Sequence, residues 1–505
     1  MNWLRRSLAV ALVAPAFVGA QTKVGPARGT VIVVGGGGMG PEVYSEFIKA
    51  AGGPNALIID VPTAGGDSVY GQDAPGTRGW KNAGAKNVYV LHTTDRKLAD
   101  SDSFVAIIKK AGGIWFEGGR QFHLVDSYGG TKTETEFMNV LKRGGVIAGS
   151  SAGASILGDF LVRGAPSNNN FIMDDPSHEK GFAYLRGVGI DQHVIARERL
   201  PDLADSIIPK YPNLLAISED EGTAWVVRGD TATIIGRNKA FVYNGKETDP
   251  GKPFLTLFPG DRYNLATRTV THRAASDSPV KAAFLDSLFS KYSDASAGGA
   301  TVLVAQNGKV FAAKSYGIAD QPKYMPTTTV PQFPIADLKN VFMGICDQLP
   351  APARGRGAAT PDSAAAGRGR GRGNQPPLTP LQTCVTQRAG TPVGLHKTNA
   401  NADGEVMSNV DELYRVSLGL DAPQTFSRDT TAGRPKFDPT KGFTVESYKG
   451  VPRLVAYAAP GGKKSAFVRI PDRNNTTIIV LTNDDSADAK AITDRITDKI
   501  LSAKR

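Results

Sequence analysis

Cysteine is the scarcest residue type of this 505-residue chain, which contains only Cys346 and Cys384. Two cysteines without further partners exclude a structural zinc site, because such a site needs four ligands. The two cysteines bracket a stretch rich in arginine and glycine. In an oxidising compartment they would close that stretch as a loop, so the sequence predicts a disulfide wherever the geometry permits one.

Long apolar runs are also missing from the chain. The run Leu8–Val18 is interrupted by Pro15 and is well short of the roughly 20 residues that a membrane-spanning helix needs. Arg5 and Arg6 precede it and small residues follow it, which is the order of a cleaved secretory signal. We therefore predict a signal peptide at residues 1–20, no membrane span, and a secreted or periplasmic protein. The sequence leaves open whether the Sec or the twin-arginine route is used.

Negative charge is in deficit, since 59 lysines and arginines outnumber 48 aspartates and glutamates and leave a net charge of +11. Five of the arginines lie within residues 354–372, where they alternate with glycine. No aromatic side chain is interleaved there to stack on bases, so the tract does not favour RNA binding. It also cannot bury enough apolar surface to fold. We predict a disordered insert at about 350–380 and no nucleic-acid partner.

The chain is too long for one ordinary core, and its pattern indicates two domains, at residues 26–275 and 280–505. From Gly29 to about Ala240, short β-branched runs alternate with amphipathic stretches. This alternation predicts an α/β domain whose parallel sheet is covered on both faces, with reactive loops at the carboxyl ends of the strands. The predicted strands are Thr30–Val34, Ala56–Val61, Val88–Leu91, Ile114–Phe116 and Gly145–Ala148, and the predicted helices are Glu42–Ala51, Phe104–Ala111 and Ala154–Val162.

The glycine run Gly35–Gly40 follows the first predicted strand and fits the dinucleotide-binding pattern, with Asp60 about 20 residues further on. An NAD(P)-dependent oxidoreductase is therefore one alternative. A simpler interpretation is a tight strand-to-helix turn, because glycine tolerates positive φ. Only the first βα unit supports the dinucleotide interpretation, so it is the weaker one.

The segment Gly149–Gly153 matches the G-x-S-x-G pattern of a nucleophile elbow, with Ser151 at its centre. The string alone is a weak signal in a chain with 57 glycines, but here a predicted strand precedes it and a predicted helix follows it. The small residues Ala152 and Gly153 let the helix start close to the strand and leave the N–H after the serine free to bind an oxyanion. The sequence therefore predicts Ser151 as a nucleophile.

A serine nucleophile needs a base, and histidine has a suitable pKa. The chain has six histidines, of which His193 follows an apolar predicted strand downstream of the elbow. His92, which ends another predicted strand, is the second choice. His123 falls in a predicted helix, and the others fall in polar or loop-like contexts, namely His178, His272 and His396.

Four motifs, in this order and spacing, resemble those of cyanophycinase and its relative peptidase E. They are Gly118-Gly119-Arg120-Gln121, Gly149–Ala154, Asp191-Gln192-His193 with Arg197 and Arg199, and Asp220–Ala224. The resemblance covers about Gly29 to Asn244. It implies a three-layer α/β/α fold like that of class I glutamine amidotransferases, with serine in place of their cysteine and with no metal or cofactor.

The resemblance also implies roles for single residues. Ser151 would be the nucleophile and His193 the general base, while the N–H groups of Ala152, Gly118 and Gly119 would bind the oxyanion. The substrate-binding residues that it implies are Gln121, Asp191, Gln192, Arg197, Arg199 and Glu221.

Cyanophycin is a polyaspartate with arginine joined to each side chain, so each repeat offers a carboxylate and a guanidinium. Arg197 and Arg199 suit the carboxylate, because a guanidinium can bind it with two parallel hydrogen bonds, although exposed arginines also form ordinary salt bridges. Asp191 and Glu221 would recognise the guanidinium or order the site.

The sequence departs from the family at the acid that orients the imidazole. The family is expected to place this carboxylate between the serine and the histidine, where this chain reads Ser167–Asn170. The nearest acids are Asp174, Asp175 and Glu179, and we nominate Asp174 or Asp175 as the orienting acid.

The second predicted domain resembles the fold of serine β-lactamases and penicillin-binding proteins. Its first hairpin, near Thr301–Ala313, and its last strands would share one antiparallel sheet, giving a smaller α+β domain. The family's S-x-x-K motif would fall at Ala336–Lys339, where no serine is present, and Gly461–Lys463 is at most a remnant of a further motif. We expect a non-catalytic appendage that binds polymer or fixes the oligomeric state, for which a homodimer is the candidate.

Together, the sequence predicts a secreted, cyanophycinase-like serine peptidase that cleaves cyanophycin or small aspartyl peptides through an acyl-enzyme. The alternative from another class is a non-catalytic peptide- or polymer-binding protein on the same fold.

Overall fold

The computed structural model describes most of the chain, namely residues 24–167, 172, 176–293, 298–317, 332–349, 378–422, 425–426, 437–458, 464–484 and 486–503. Four predictions fall on other residues. The signal peptide, Asp174 and Asp175, most of the arginine-glycine insert, and Gly461–Lys463 lie outside the described residues.

The N-terminal half, residues 24–272, contains two sheets with helices packed against them. Its strands are β1 (Thr30–Val34), β2 (Leu57–Val61), β3 (Asn87–Val90), β4 (Gly113–Phe116), β5 (Val146–Ser150), β6 (Gly158–Phe160), β7 (Leu185–Gln192), β8 (Leu215–Glu219), β9 (Thr223–Arg228), β10 (Thr231–Gly236), β11 (Ala240–Val242), β12 (Leu255–Leu257), β13 (Arg262–Asn264) and β14 (Thr269–His272). Its helices are α1 (Pro41–Ala50), α2 (Pro75–Asn82), α3 (Arg96–Ala99), α4 (Asp102–Val105), α5 (Phe122–Tyr128), α6 (Lys132–Lys142), α7 (Ala152–Ser155) and α8 (Ile208–Lys210).

The larger sheet has the order β14-β13-β10-β9-β1-β5-β4-β2-β3. Strands β1 to β5 are parallel neighbours, as the alternating pattern predicts. The antiparallel extension by β9 and β10 was not predicted. Only the two residues between Arg228 and Thr231 join these strands, and a connection that short can form only an antiparallel hairpin.

The larger sheet is covered on both faces, which confirms the α/β fold class. Successive residues of β1 point to opposite sides. Ile32 and Val34 pack with Val43 and Phe47 of α1, while Val31 and Val33 belong to the core cluster that contains residues of α5 and α6.

The smaller sheet, in the order β12-β11-β8-β7-β6, replaces part of what the sequence predicts as a helix. The predicted helix Ala154–Val162 is wrong, because α7 ends at Ser155 and Gly158–Phe160 forms β6, parallel to β7. A short apolar run fits a buried strand as well as a buried helix, so its pattern could not decide between them. The predicted helix Phe104–Ala111 is likewise broken, into α4 and a separate single turn at Ile108–Lys110.

The C-terminal half, residues 280–503, contains the remaining elements. Its strands are β15 (Gly299–Gln306), β16 (Lys309–Gly317), β17 (Phe333–Pro334), β18 (Asn399–Ala400), β19 (Val406–Ser408), β20 (Thr444–Tyr448), β21 (Val451–Ala458), β22 (Ser465–Ile470) and β23 (Thr476–Thr482). Its helices are α9 (Ala282–Leu288), α10 (Lys339–Cys346), α11 (Pro380–Thr383), α12 (Gly390–Val393), α13 (Val410–Asp421) and α14 (Ala489–Ser502).

Six antiparallel strands of this half form one sheet, in the order β16-β15-β23-β22-β21-β20, so the predicted antiparallel sheet is confirmed. Its early strand β15 pairs with its last strand β23. Ile479 and Leu481 of β23 pack in the cluster that contains Leu413 of α13, while Ile478 and Val480 pack in the cluster that contains Ile496 of α14. The sheet is therefore covered by helices on both faces.

Cys346, at the end of α10, and Cys384 are joined by a disulfide with a Cα–Cα distance of 5.9 Å. Both cysteines are buried in the core beside α13. Within the described ranges, no helix combines the length and the apolar character that crossing a bilayer requires.

Candidate active site

Ser151 lies at the sharp turn between β5 and α7. Its φ of 59° and ψ of −118° belong to a strained conformation, as in a nucleophile elbow that lifts the hydroxyl above the sheet. The helix that follows stays close to the sheet, because a Cβ at Gly153 would lie 2.1 Å from the carbonyl oxygen of Phe116. Only glycine fits at that position.

His193 follows β7 directly, and its side chain meets Ser151. Its Nε2 atom lies 2.8 Å from Ser151 Oγ, which is the distance that proton transfer to a general base requires. Its backbone N–H donates to the carbonyl of Gly35 at 3.0 Å, so the glycine turn after β1 fixes the backbone of His193. The structure therefore brings together the two residues that the motifs nominate as nucleophile and base.

Glu221 contacts the other nitrogen of this imidazole. His193 Nδ1 lies 2.6 Å from Glu221 Oε1, which completes a chain from serine through histidine to glutamate. Burial opposes ionisation of Glu221, but its hydrogen bonds with His193 and His396 outweigh burial and hold the pKa of the carboxyl well below its usual value. The carboxylate therefore stays charged and fixes the tautomer of His193.

This arrangement corrects the expectation that the orienting acid precedes the histidine. Asp174 and Asp175 are outside the described residues, and the carboxylate on His193 is Glu221, which was expected either to bind the substrate's guanidinium or to order the site. A signal for this role was present in the sequence. Glu221 follows β8, a parallel neighbour of β7, and the carboxyl ends of adjacent parallel strands lie at one edge of a sheet.

The three N–H groups predicted for the oxyanion are those of Ala152, Gly118 and Gly119. Among the described residues, none of them donates a backbone or side-chain hydrogen bond. A Cβ at Gly118 would lie 3.7 Å from Ser151 Oγ, so this turn is next to the nucleophile. The arrangement suits the binding of a negative oxygen that develops beside Ser151.

Of the two roles expected for Asp191, recognition of a guanidinium of the substrate or ordering of the site, its surroundings fit only the second. Arg163 binds it with two hydrogen bonds, Nε to Oδ1 and Nη2 to Oδ2, each 2.9 Å long. Both side chains are buried, with 2% and 0% of their surface exposed. The carboxylate of Asp191 is therefore bound by Arg163 within the protein.

Gln121 and Gln192 are buried and bonded within the protein rather than open to solvent. Gln121 Nε2 donates to the carbonyl of Val162 at 2.6 Å, and Gln192 Nε2 lies 3.4 Å from Ser155 Oγ. Gln121 therefore holds the backbone at Val162, and Gln192 contacts the side chain of Ser155 in the helix that follows the elbow.

The two arginines after His193 differ in their surroundings. Arg197 donates its backbone N–H to the carbonyl of His193 at 2.8 Å. Arg199 is 6% exposed, and burial lowers its pKa to about 10. No carboxylate among the described residues lies within ion-pair distance of Arg199. A buried guanidinium without such a partner suits an anionic group from outside the protein.

The dinucleotide interpretation does not fit the positions of Asp60 and the glycine turn. Asp60 is fully buried, and burial together with the neighbouring Glu117 raises its pKa well above the usual value, so its carboxyl cannot reach a ribose hydroxyl. The turn itself is occupied, because Gly36 packs on the ring of His193 and Gly37 packs on Glu221. His92, the second choice for the base, is hydrogen-bonded to Thr63 at 2.9 Å.

His396 of the C-terminal half also reaches the site, which the sequence did not predict. Its Nε2 lies 2.5 Å from Glu221 Oε2, across a separation of 175 residues. Its loop-like context gave no sign of this contact. Within the described part of the chain, no cluster of three or more histidine, cysteine, aspartate or glutamate side chains is arranged to hold a metal ion.

A serine nucleophile, an imidazole and a carboxylate at the strand ends of an α/β fold define a serine-type hydrolase. Residues 31–235 match the sequence profile of Peptidase family S51. The cyanophycinase of Synechococcus elongatus is 27% identical over 272 residues, which cover 49% of this chain and 82% of that protein. The cyanophycinase of Geminocystis herdmanii is 28% identical over 263 residues, which cover 48% of this chain and 95% of that protein.

The predicted resemblance of the N-terminal half to this family is thereby confirmed, and these matches support a serine-type peptidase as the class of this protein. Among solved structures, a peptidase from an acI-B1 Actinobacterium is 25% identical with a TM-score of 0.37, covering 47% of this chain and 97% of its own. The octameric penicillin-binding protein homologue from Pyrococcus abyssi is 10% identical with a TM-score of 0.32, covering 44% and 77%. The predicted β-lactamase-like fold of the C-terminal half stays a prediction.

Proposed function

We propose that this protein is an exported serine peptidase that hydrolyses cyanophycin or small aspartyl peptides through an acyl-enzyme. The observation that carries the proposal is the unbroken hydrogen-bonded chain from Ser151 through His193 to Glu221. A glycine-rich turn with an idle serine would not require a histidine on the hydroxyl and an ionised acid on that histidine.

The geometry supports a two-step reaction. His193 Nε2 takes the proton of Ser151 Oγ as the oxygen attacks the peptide carbonyl, and the N–H groups of Ala152 and Gly118 stabilise the negative oxygen that forms. The imidazolium then gives its proton to the departing amine, which leaves an ester on Ser151. Water, activated by the same imidazole, hydrolyses this ester and restores the serine.

The substrate proposal draws on the names of the relatives and on Arg199. The curated relatives are cyanophycinases, and the repeating unit of cyanophycin carries a free carboxylate. Arg199 lies six residues after His193 and is buried; Asp191 and Asp202 attract its charge, but no carboxylate of the described residues is in ion-pair contact with it. It is therefore the favoured group for a substrate carboxylate.

The export proposal draws on the predicted signal peptide and on the disulfide. A disulfide between Cys346 and Cys384 persists in an oxidising compartment and is rare in the cytosol. An enzyme outside the cell would degrade released polymer rather than the cell's own store.

Labelling by a fluorophosphonate tests the nucleophile directly. We expect the wild-type protein to react and Ser151→Ala to lose all labelling, because the reagent needs a serine activated by a base. Ser287→Ala, which changes an exposed serine of α9, is the matched control and should label like the wild type.

An unlabelled wild-type protein would overturn the hydrolase proposal in favour of a non-catalytic binding protein. Mass analysis of products from cyanophycin and from aspartyl dipeptides then tests the substrate. Labelling without cleavage of either substrate would keep the hydrolase and reject the aspartyl specificity.

A further inference from the structure

The carboxylate of Glu221 is held at both of its oxygens by histidines from different halves of the chain. Oε1 faces His193 Nδ1 at 2.6 Å, and Oε2 faces His396 Nε2 at 2.5 Å. The side chain of Glu221 is only 11% exposed. With one partner the carboxylate group could rotate about its terminal bond, whereas two partners fix its plane.

The backbone around His396 is itself fixed by Glu412 of α13. The N–H groups of His396 and Lys397 each donate to Glu412 Oε1 at 2.8 Å, and that of Thr398 donates to Oε2 at 2.5 Å. Glu412 is buried, with 5% of its surface exposed. Three successive backbone N–H groups thus share one carboxyl group, which holds this loop on α13.

The helix that carries Glu412 is anchored on the N-terminal half by two ion pairs. Arg415 Nη2 lies 3.2 Å from Asp220 Oδ2, and both side chains are at least 95% buried. Asp411 Oδ2 lies 2.6 Å from Lys239 Nζ, with both side chains largely buried. The N-terminal part of α13 therefore holds the C-terminal half against the N-terminal half, beside Glu221.

Asp220 connects the docked helix α13 to the base His193 as well as to the acid Glu221. It directly precedes Glu221, and its Oδ1 accepts the N–H groups of Ile195 and Ala196, which follow His193. The same aspartate thus holds the segment after the base and receives Arg415 from the C-terminal half. The positions of His193, Glu221 and His396 are consequently interdependent.

We propose that His396 is a positioning residue for Glu221, so that the C-terminal half completes the active site of the N-terminal half. This inference rests on the proposed hydrolase function of Ser151. The charged groups that face His396 are Glu221 and Asp220, which favour its protonated form, and Arg415, which opposes it. The hydrogen bond with Glu221 raises the pKa of His396. The C-terminal half is then a working part of the enzyme rather than an appendage.

Replacement of His396 tests the inference by separating kcat from KM. In His396→Ala, Glu221 loses one of its two anchors, and we expect kcat to fall about 10- to 100-fold, by analogy with the loss of outer partners that orient the ligands of metal sites. KM should change less than about 2-fold, because His396 is placed against Glu221 and not against the reacting serine. His396→Gln should recover most of kcat, since its amide N–H can replace the Nε2 donor.

His272→Ala is the matched control. His272 lies on edge strand β14 and, like His396, contacts a carboxylate, that of Asp277. This variant should leave kcat and KM unchanged. A wild-type kcat in His396→Ala would overturn the inference. The inference would also be overturned if His396→Gln lost as much kcat and as much melting temperature as His396→Ala, since equal losses in the two variants would indicate only a structural role.

A measurement without substrate separates this inference from the proposed function. The downfield proton resonance of His193 Nδ1 reports its hydrogen bond to Glu221 whether or not the protein is a peptidase. We expect this resonance to shift or broaden in His396→Ala and to be restored in His396→Gln. An unchanged resonance would overturn the positioning role, whereas absent fluorophosphonate labelling of the wild type would reject only the hydrolase.

Discussion

The pKa values of two neighbouring carboxyl groups are shifted in opposite directions. Hydrogen bonds with His193 and His396 lower the pKa of Glu221 against the effect of burial, whereas burial raises the pKa of Glu219, two residues earlier, well above its usual value. Ser151 and His193 could be predicted because the strand-turn-helix context and the scarcity of histidine point to them. The acid was missed, because its position after β8 becomes informative only once β8 is known to be the parallel neighbour of β7.

Replacement of Glu221 by glutamine tests its role at the residue scale. Glu221→Gln keeps the shape of the side chain but removes the charge that stabilises the imidazolium and selects its tautomer. We expect kcat to fall about 10³-fold or more at neutral pH, as in related triads, with a smaller change in KM. Steady-state hydrolysis of the peptide substrate provides the measurement.

Glu46→Gln serves as the control, because Glu46 of α1 pairs with Arg228 at the surface and not with the site. It should retain wild-type kcat. If Glu221→Gln kept kcat within about 10-fold of the wild type, Glu221 would not be the orienting acid.

At the scale of elements, the site is built where strands end. The turn after β1, the elbow after β5, and the ends of β7 and β8 converge, and every one of these strands is largely buried. The sequence predicted β1 to β5 well because each is a short apolar run bounded by turn residues. It mistook β6 for part of a helix, since three residues are too few to show a period.

The glycine turn after β1 provides a prediction at this scale. Gly36 has φ of +95°, and a Cβ there would lie 2.1 Å from His193 Cε1. We expect Gly36→Ala to displace the imidazole and to lower kcat/KM about 10²-fold or more, because a shift of about 1 Å can cost that much. The measurement is kcat/KM alongside the melting temperature.

Gly53→Ala is the matched control for backbone strain. Gly53 has φ of +99°, and a Cβ there would meet no atom within 4 Å. Both variants force alanine into a positive-φ conformation, so Gly53→Ala measures the stability lost to backbone strain alone and should keep the wild-type kcat/KM. Equal kcat/KM values in the two variants would show that the clash with His193 has no functional effect.

At the scale of the whole molecule, the two halves are joined by charged contacts that no local pattern announces. The pairs Arg415–Asp220 and Lys239–Asp411 span 195 and 172 residues. Chain length and the pattern of strand-like and helix-like segments predicted two domains. The docking of α13 beside the site could not be predicted. Periodicity reports which face of an element is buried but not which distant element covers it.

The contact between Glu221 and His396 makes the stability of this arrangement depend on pH. Glu221 has its pKa lowered from 4.5, so its contribution is present above about pH 4.5 and is lost as the pH falls. His396 has its pKa raised from 6.5, so its contribution is complete below about pH 6.5 and is lost as the pH rises through the raised value. The contact is therefore strongest between these two values.

We expect the melting temperature of the wild type to exceed that of His396→Gln most at about pH 6, and the difference to shrink as the pH rises through the raised pKa of His396, above which the imidazole is neutral in both the folded and the unfolded chain. Thermal unfolding of both proteins across this range measures the difference. Glutamine does not titrate, and all other titratable groups are common to the two proteins. The difference in melting temperature therefore reports the titration of His396. A difference that stayed constant from pH 6 to pH 9 would mean that the charge of His396 does not help to hold the two halves together.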